Sequence, residues 1–77
     1  MNDNQQITYM QARLIRLASR EWNIPVKKVV SMFAEFDVLK FIRECFGIFH
    51  IEGDYAVLDD IMSYLHNRGV EIDAGIR

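Results

Sequence analysis

Along residues 7–22 the apolar side chains return at steps of three and four. Met10, Leu14, Leu17, Ala18 and Trp22 fall on one stripe, while Arg13, Arg16 and Arg20 fall on another. That is the pattern of an amphipathic helix with a basic face. Residues 1–6 are polar and patternless, and read as a frayed terminus with the helix starting around Asp3 or Asn4. Asn23-Ile24-Pro25 breaks this helix, because proline lacks an amide hydrogen and biases its predecessor away from helix, yet suits the first turn of a new one. The second helix has Val26, Val29, Val30 and Phe33 as its apolar side, with Lys27, Lys28 and Glu35 outward. Its three valines lower intrinsic propensity, so it should be short and held by packing.

A third helix is predicted from Val38, with Asp37 as its N-terminal cap. Its buried stripe is Val38, Phe41, Ile42, Cys45 and Phe49, widened by Leu39, Phe46 and Ile48, against a narrow outer face of Lys40, Arg43, Glu44 and Gly47. So broad an arc marks the central helix of a bundle. The helix is carried through to Phe49 or His50, with Gly47 exposed inside it and Glu52-Gly53-Asp54 as the turn. Residues 55–58 are short and apolar, and fit either an extended piece or the first turn of a last helix capped by Asp54 or Asp59. That helix stops at Asn67-Arg68-Gly69, with a brief extended piece possible over residues 70–72. The sum is an all-α, compact four-helix single domain over residues 1–77, joined by short turns, with residues 1–6 and 70–77 as flexible tails.

Composition adds pressure toward association. At 9.1 kDa the folded surface should be roughly 4,900 Å², and a domain this small buries only about 60% of its extended-chain surface. With 51% apolar residues, some should lie at an interface, with another protein or with a second copy in a homo-oligomer. One cysteine, Cys45, permits no internal disulfide, no signal-peptide pattern opens the chain, and no apolar run approaches the length of a membrane span. A cytoplasmic protein is expected.

Charge is distributed unevenly. Residues 1–30 carry five cations (Arg13, Arg16, Arg20, Lys27 and Lys28) and two anions, 5 − 2 = +3, whereas residues 31–77 carry four and nine, 4 − 9 = −5. Such a stripe is most simply a solvated face. Read as a contact surface, it suits a protein partner better than nucleic acid, because the acidic remainder repels phosphate. A helix-turn-helix built from the second and third helices is the alternative. Its reading helix would offer Lys40 and Arg43 but no Asn, Gln or Ser, on an aromatic-rich segment suited to a core.

Catalytic and cofactor chemistry finds no support. His50 and His66 are the only imidazoles, and His50-Ile51-Glu52 lacks the paired cysteines that would complete a deaminase zinc site. Cys45 and His50 are five residues apart, which on a helix points them away from each other. His50 is better placed to bond the last carbonyls of its helix or the turn that follows. Asp54, Asp59 and Asp60 read as helix-start aspartates, and the four glycines are too widely spaced for a phosphate loop. No catalytic, metal or cofactor-binding residue is assigned.

LKFIRECFGIFH, followed by Gly53, Tyr55 and VLDDIMSYL, resembles a small family of uncharacterised bacterial proteins. Their shared features are an aromatic-rich helix ending in histidine, a glycine-bearing turn, a tyrosine, and an aspartate before the last helix. The resemblance covers about residues 27–66. It rests on Phe33, Val38, Phe41, Ile42, Cys45, Phe46, His50, Gly53, Tyr55, Val57, Asp60, Ile61, Tyr64 and Leu65. It implies a domain sometimes encoded beside ADP-ribosyltransferase-like toxins, hence an accessory or antitoxin-like partner. The expectation is therefore a non-enzymatic protein-interaction domain, with Arg13, Arg16, Arg20, Lys27 and Lys28 as the contact residues.

Overall fold

The computed structural model describes residues 2–72, in which five helices and no strand are present. Helix α1 is Asp3–Trp22. It starts at Asp3 as expected, where Asn2 and Gln5 close a capping box: the Asn2 side chain accepts from the Gln5 amide at 2.9 Å and the Gln5 side chain accepts from the Asn2 amide at 3.1 Å. At its other end Asn23 takes a left-handed conformation, φ 55°, which asparagine tolerates better than most side chains. Ser19 fastens the exit, its carbonyl accepting from the Ile24 amide and its hydroxyl donating to the Ile24 carbonyl at 2.6 Å.

Helix α2 is Val26–Glu35, with Pro25 at its N-cap, one position before the first turn in which it was expected. Only Val29 and Phe33 of its four expected core positions are buried; Val26 and Val30 are exposed. Val26 sits in the first turn, and Val30 lies about 100° around the helix from Val29, beyond the edge of the packed arc.

Helix α3 is Val38–Glu44 and α4 is Phe46–Phe49. The expected continuous third helix is thus interrupted at Cys45, whose φ of −99° and ψ of 9° leave the helical region. Hydrogen bonding continues around the break, with the Cys45 amide donating to Phe41 and the Cys45 carbonyl accepting from Phe49 at 2.8 Å. The redirection places Phe49 edge-on to Phe41, centroids 5.4 Å apart, and leaves Ile48, expected in the buried stripe, 63% exposed. Cys45 itself is only partly buried. Gly47 is exposed within α4, as its outer-face position predicted.

Asp37 does not cap α3. Its backbone is left-handed, φ 59°, and its side chain makes no capping bond, since a cap side chain needs extended backbone to reach the free amides. The turn is held instead by Tyr64, whose hydroxyl donates to the Phe36 carbonyl at 2.8 Å.

Helix α5 is Asp54–His66, so residues 55–58 are helical. Neither Asp54 nor Asp59 caps it; Gly53 occupies that position and offers no side chain. It ends as the sequence predicted: Gly69, φ 84°, donates to His66 while the Val70 amide donates to Leu65 at 3.0 Å. Those are the two bonds of a Schellman motif, with Val70 packed on the core. Residues 70–72 form no strand, and residues 73–77 of the expected tail lie outside the described residues.

Helix α1, rather than α3, is the spine. At about 30 Å long it packs against α2, α3 and α5. Its Leu14 and Ala18 are fully buried, alongside Val29, Phe33, Val38, Ile42, Ile61 and Leu65. Trp22 meets Phe33 edge-on at 6.2 Å. Gln11 donates to the Leu39 carbonyl and Arg43 donates to the Asn4 side chain, joining α1 to α3 at two levels. The surface is 4,993 Å², close to the size-based expectation.

Candidate functional site

On α1, positions 9, 13, 16 and 20 are separated by four, three and four residues, which puts them within about 60° of one another on the helix surface. Tyr9, Arg13, Arg16 and Arg20 are all exposed and form one outward stripe. Three of the expected contact residues are thereby on one face. Lys27 and Lys28 follow the Asn23–Pro25 turn and open α2, both exposed. Lys28 borders a shallow apolar depression with Ile24, Met32, Phe36 and Val70.

The three arginines differ in their surroundings. Arg13 forms a two-pronged ion pair with Asp54, Nε to Oδ2 at 2.7 Å and Nη2 to Oδ1 at 3.1 Å. That hydrogen bond, with Asp54's charge, raises the Arg13 pKa against a smaller opposing effect of burial. Arg20 makes a long contact with Glu21, 3.9 Å. Arg16 stands between them, exposed.

At the Tyr9 end of the stripe α4 meets α1. Gln6, Tyr9, Met10, Arg13, Phe46 and His50 line an open surface cavity of about 250 Å³. Phe46 and His50 are one turn apart and stack at 5.2 Å, 22° from parallel. His50 Nδ1 lies 3.0 Å from the Phe46 carbonyl, the bond to a late helical carbonyl expected for this residue. Because a carbonyl only accepts, that bond requires the proton on Nδ1.

The other titratable groups nearby are partly buried or paired with one another. Burial pushes the Cys45 thiol up, and the charges of Glu44, Asp60 and Glu52 push it further; a nucleophilic cysteine needs the opposite environment. Asp54 is engaged by Arg13, and Asp60 shares a hydrogen bond with Glu52. Glu52 titrates above the usual carboxylate range through partial desolvation, then the charge of Asp60 and that bond. Among the described residues no group of three or more His, Cys, Asp or Glu side chains is placed to hold a metal ion, and no helix is long and apolar enough to cross a membrane.

The sequence reading missed Tyr9 and Asp54 as parts of this surface. Tyr9 was accessible to it, lying four residues before Arg13. The pairing of Asp54 with Arg13 spans 41 positions and leaves no local signal.

No curated protein and no solved structure matches the chain. Residues 9–68 match the family described as Protein of unknown function (DUF3791), a match that takes in the arginine-bearing helix as well as the aromatic segment, and the chain belongs to that family.

Proposed function

We propose that this is a non-enzymatic protein-interaction domain of the bacterial cytoplasm, an accessory or antitoxin-like partner of a protein encoded beside it, which docks on the arginine face of α1. The observation that carries the reading is that face itself: Tyr9, Arg13, Arg16 and Arg20 exposed in one stripe on a domain of net charge −2. Self-association belongs to the same reading, since Tyr9, Val26, Val30, Ile48, Ile51 and Tyr55 remain large apolar groups in solvent. The helix-turn-helix alternative draws less support. Its reading helix has only seven residues, buries Val38 and Ile42, and spends Arg43 on Asn4.

The test is co-expression with the neighbouring gene product. Reversing both Arg16→Glu and Arg20→Glu should weaken the complex by about tenfold or more, as expected when central charged contacts are inverted, with the circular dichroism and melting temperature of the domain unchanged. Sub-micromolar binding to duplex DNA, with log affinity falling by roughly 0.9 per phosphate neutralised in log salt and lost in the same double variant, would refute the reading.

A further inference from the structure

The cavity at the Tyr9 end of the stripe is about 250 Å³, below the roughly 300–1,000 Å³ of sites that enclose a small molecule. It has the dimensions for one apolar side chain. Its lining suits that occupant, with Tyr9, Met10 and the stacked Phe46 and His50 rings on the apolar side and Gln6 and Arg13 as the polar members. Arg13 stands at its edge, and Arg16 and Arg20 continue from Arg13 at helical steps along the same face. An apolar socket followed by a row of guanidinium groups is complementary to a segment carrying one large apolar residue followed by carboxylates. Guanidinium is also the cation that best grips carboxylate, through two parallel bonds.

One of those bidentate sites is already filled from within. Asp54 holds Arg13 in the two-pronged geometry an incoming carboxylate would need, with side chains 49% and 34% exposed. An exposed pair of this kind is weak enough to be exchanged. From these contacts, and resting on the interaction reading above, we infer that the α1 face takes an acidic peptide segment of a partner protein, anchored by one apolar side chain between Tyr9, Phe46 and His50. In the free protein Asp54 is a resident competitor for the partner's first carboxylate. Duplex nucleic acid keeps its bases stacked within the helix and offers no apolar side group for the socket. A second copy of the chain is the other candidate occupant and is separated by the test.

The probe is a random peptide library displayed on phage, selected against the immobilised full chain, with the enriched peptides then synthesised and titrated by fluorescence anisotropy. The expected peptides combine a large apolar residue with several Asp or Glu. Their affinity should fall with added salt and drop by roughly fivefold or more in Tyr9→Ala, as for a truncated anchor pocket, and likewise in Arg16→Glu/Arg20→Glu. The distinctive result is a gain: Asp54→Asn should bind them roughly two- to fivefold more tightly, the equivalent of removing one exposed ion pair from the competition. The inference is overturned by failure to enrich any peptide, by basic or uncharged binders, or by binders whose affinity Asp54→Asn leaves unchanged or weakens. Light scattering that finds a dimer dissolved by Tyr9→Ala overturns it in favour of a second copy. If the peptides fail while Arg16→Glu/Arg20→Glu still breaks the complex with the neighbouring gene product, the interaction reading stands and only the acidic-segment inference falls.

Discussion

Helix α1 and the α3–α4 segment are both rich in apolar residues, but they hold their shapes for different reasons. Helix α1 has a capping box at one end, a left-handed asparagine at the other, and a 20-residue span on which the apolar period never slips. The two pieces α3 and α4 have seven and four residues, and neither has a side-chain cap at its N-terminus. Isolated helices that short are not stable in water. Their form comes from contacts: Phe41 stacked on Tyr64 at 4.2 Å, Phe49 against Phe41, and Phe46 with His50 facing α1. Local signals therefore specify the spine, while tertiary packing specifies the aromatic segment laid on it.

The sharpest test compares an apolar truncation in each. Leu14→Ala, in the fully buried centre of α1, should cost about 2–5 kcal/mol by urea unfolding, enough to threaten a domain of this size. Ile48→Ala, on the exposed side of α4, should stay within about 0.5 kcal/mol. A large loss at Ile48 would mean that α3 and α4 run on as one helix in solution.

Removing the α1 cap is the next test. Asn2→Ala deletes the acceptor for the Gln5 amide and should lower stability by about 1 kcal/mol; no change in the urea midpoint would show that α1 draws its start from packing as well. In the opposite direction, Gly47→Ala should raise stability by about 0.5–1 kcal/mol, because a β-carbon there meets no atom within 4 Å. A melting temperature lowered by this substitution would place Gly47 outside helical geometry.

Much of this was legible in the chain. Met10, Leu14, Leu17, Ala18 and Trp22 announced the spine's buried face because a period held over about three turns leaves little freedom of phase. Gly69 announced the end of α5 because its positive φ has few other tenants. The break at Cys45 was not legible, since neither glycine nor proline marks it; on an uninterrupted helix Ile48 lies within about 20° of Phe41, and only the ring contacts made by Phe41, Phe46 and Phe49 turn it outward. Asp37 deceived for a related reason. Aspartate favours both a cap and a left-handed turn, and the choice was made by Tyr64, 27 residues away. At the candidate site, the arginine stripe followed from spacing alone, whereas its ion pair with Asp54 and the cavity beside Tyr9 exist only once α4 and α5 have packed on α1.

The smallest expected effect is on pH dependence. Folding raises the proton affinity of Glu52 through partial desolvation, the Asp60 charge and their hydrogen bond. A raised carboxyl favours the folded state most below its unfolded pKa, and that contribution disappears as pH rises through the folded value. Asp60→Asn should move the Glu52 titration back toward the ordinary glutamate value, followed by carbon-13 NMR of its carboxyl. A titration unmoved by the substitution would leave desolvation as the sole cause.

Tyr64 gives the weakly specified half of the molecule a common fate. Its hydroxyl closes the α2–α3 turn, one side of its ring stacks on Phe41, and the Arg68 guanidinium lies 3.5 Å from its ring centroid, beside the Schellman bonds of Gly69 and Val70. A single side chain therefore spans two segments that would otherwise open to solvent independently. In native-state hydrogen exchange, the amides of the α2–α3 turn and of the α5 terminus should therefore open together as one cooperative unit rather than fray residue by residue.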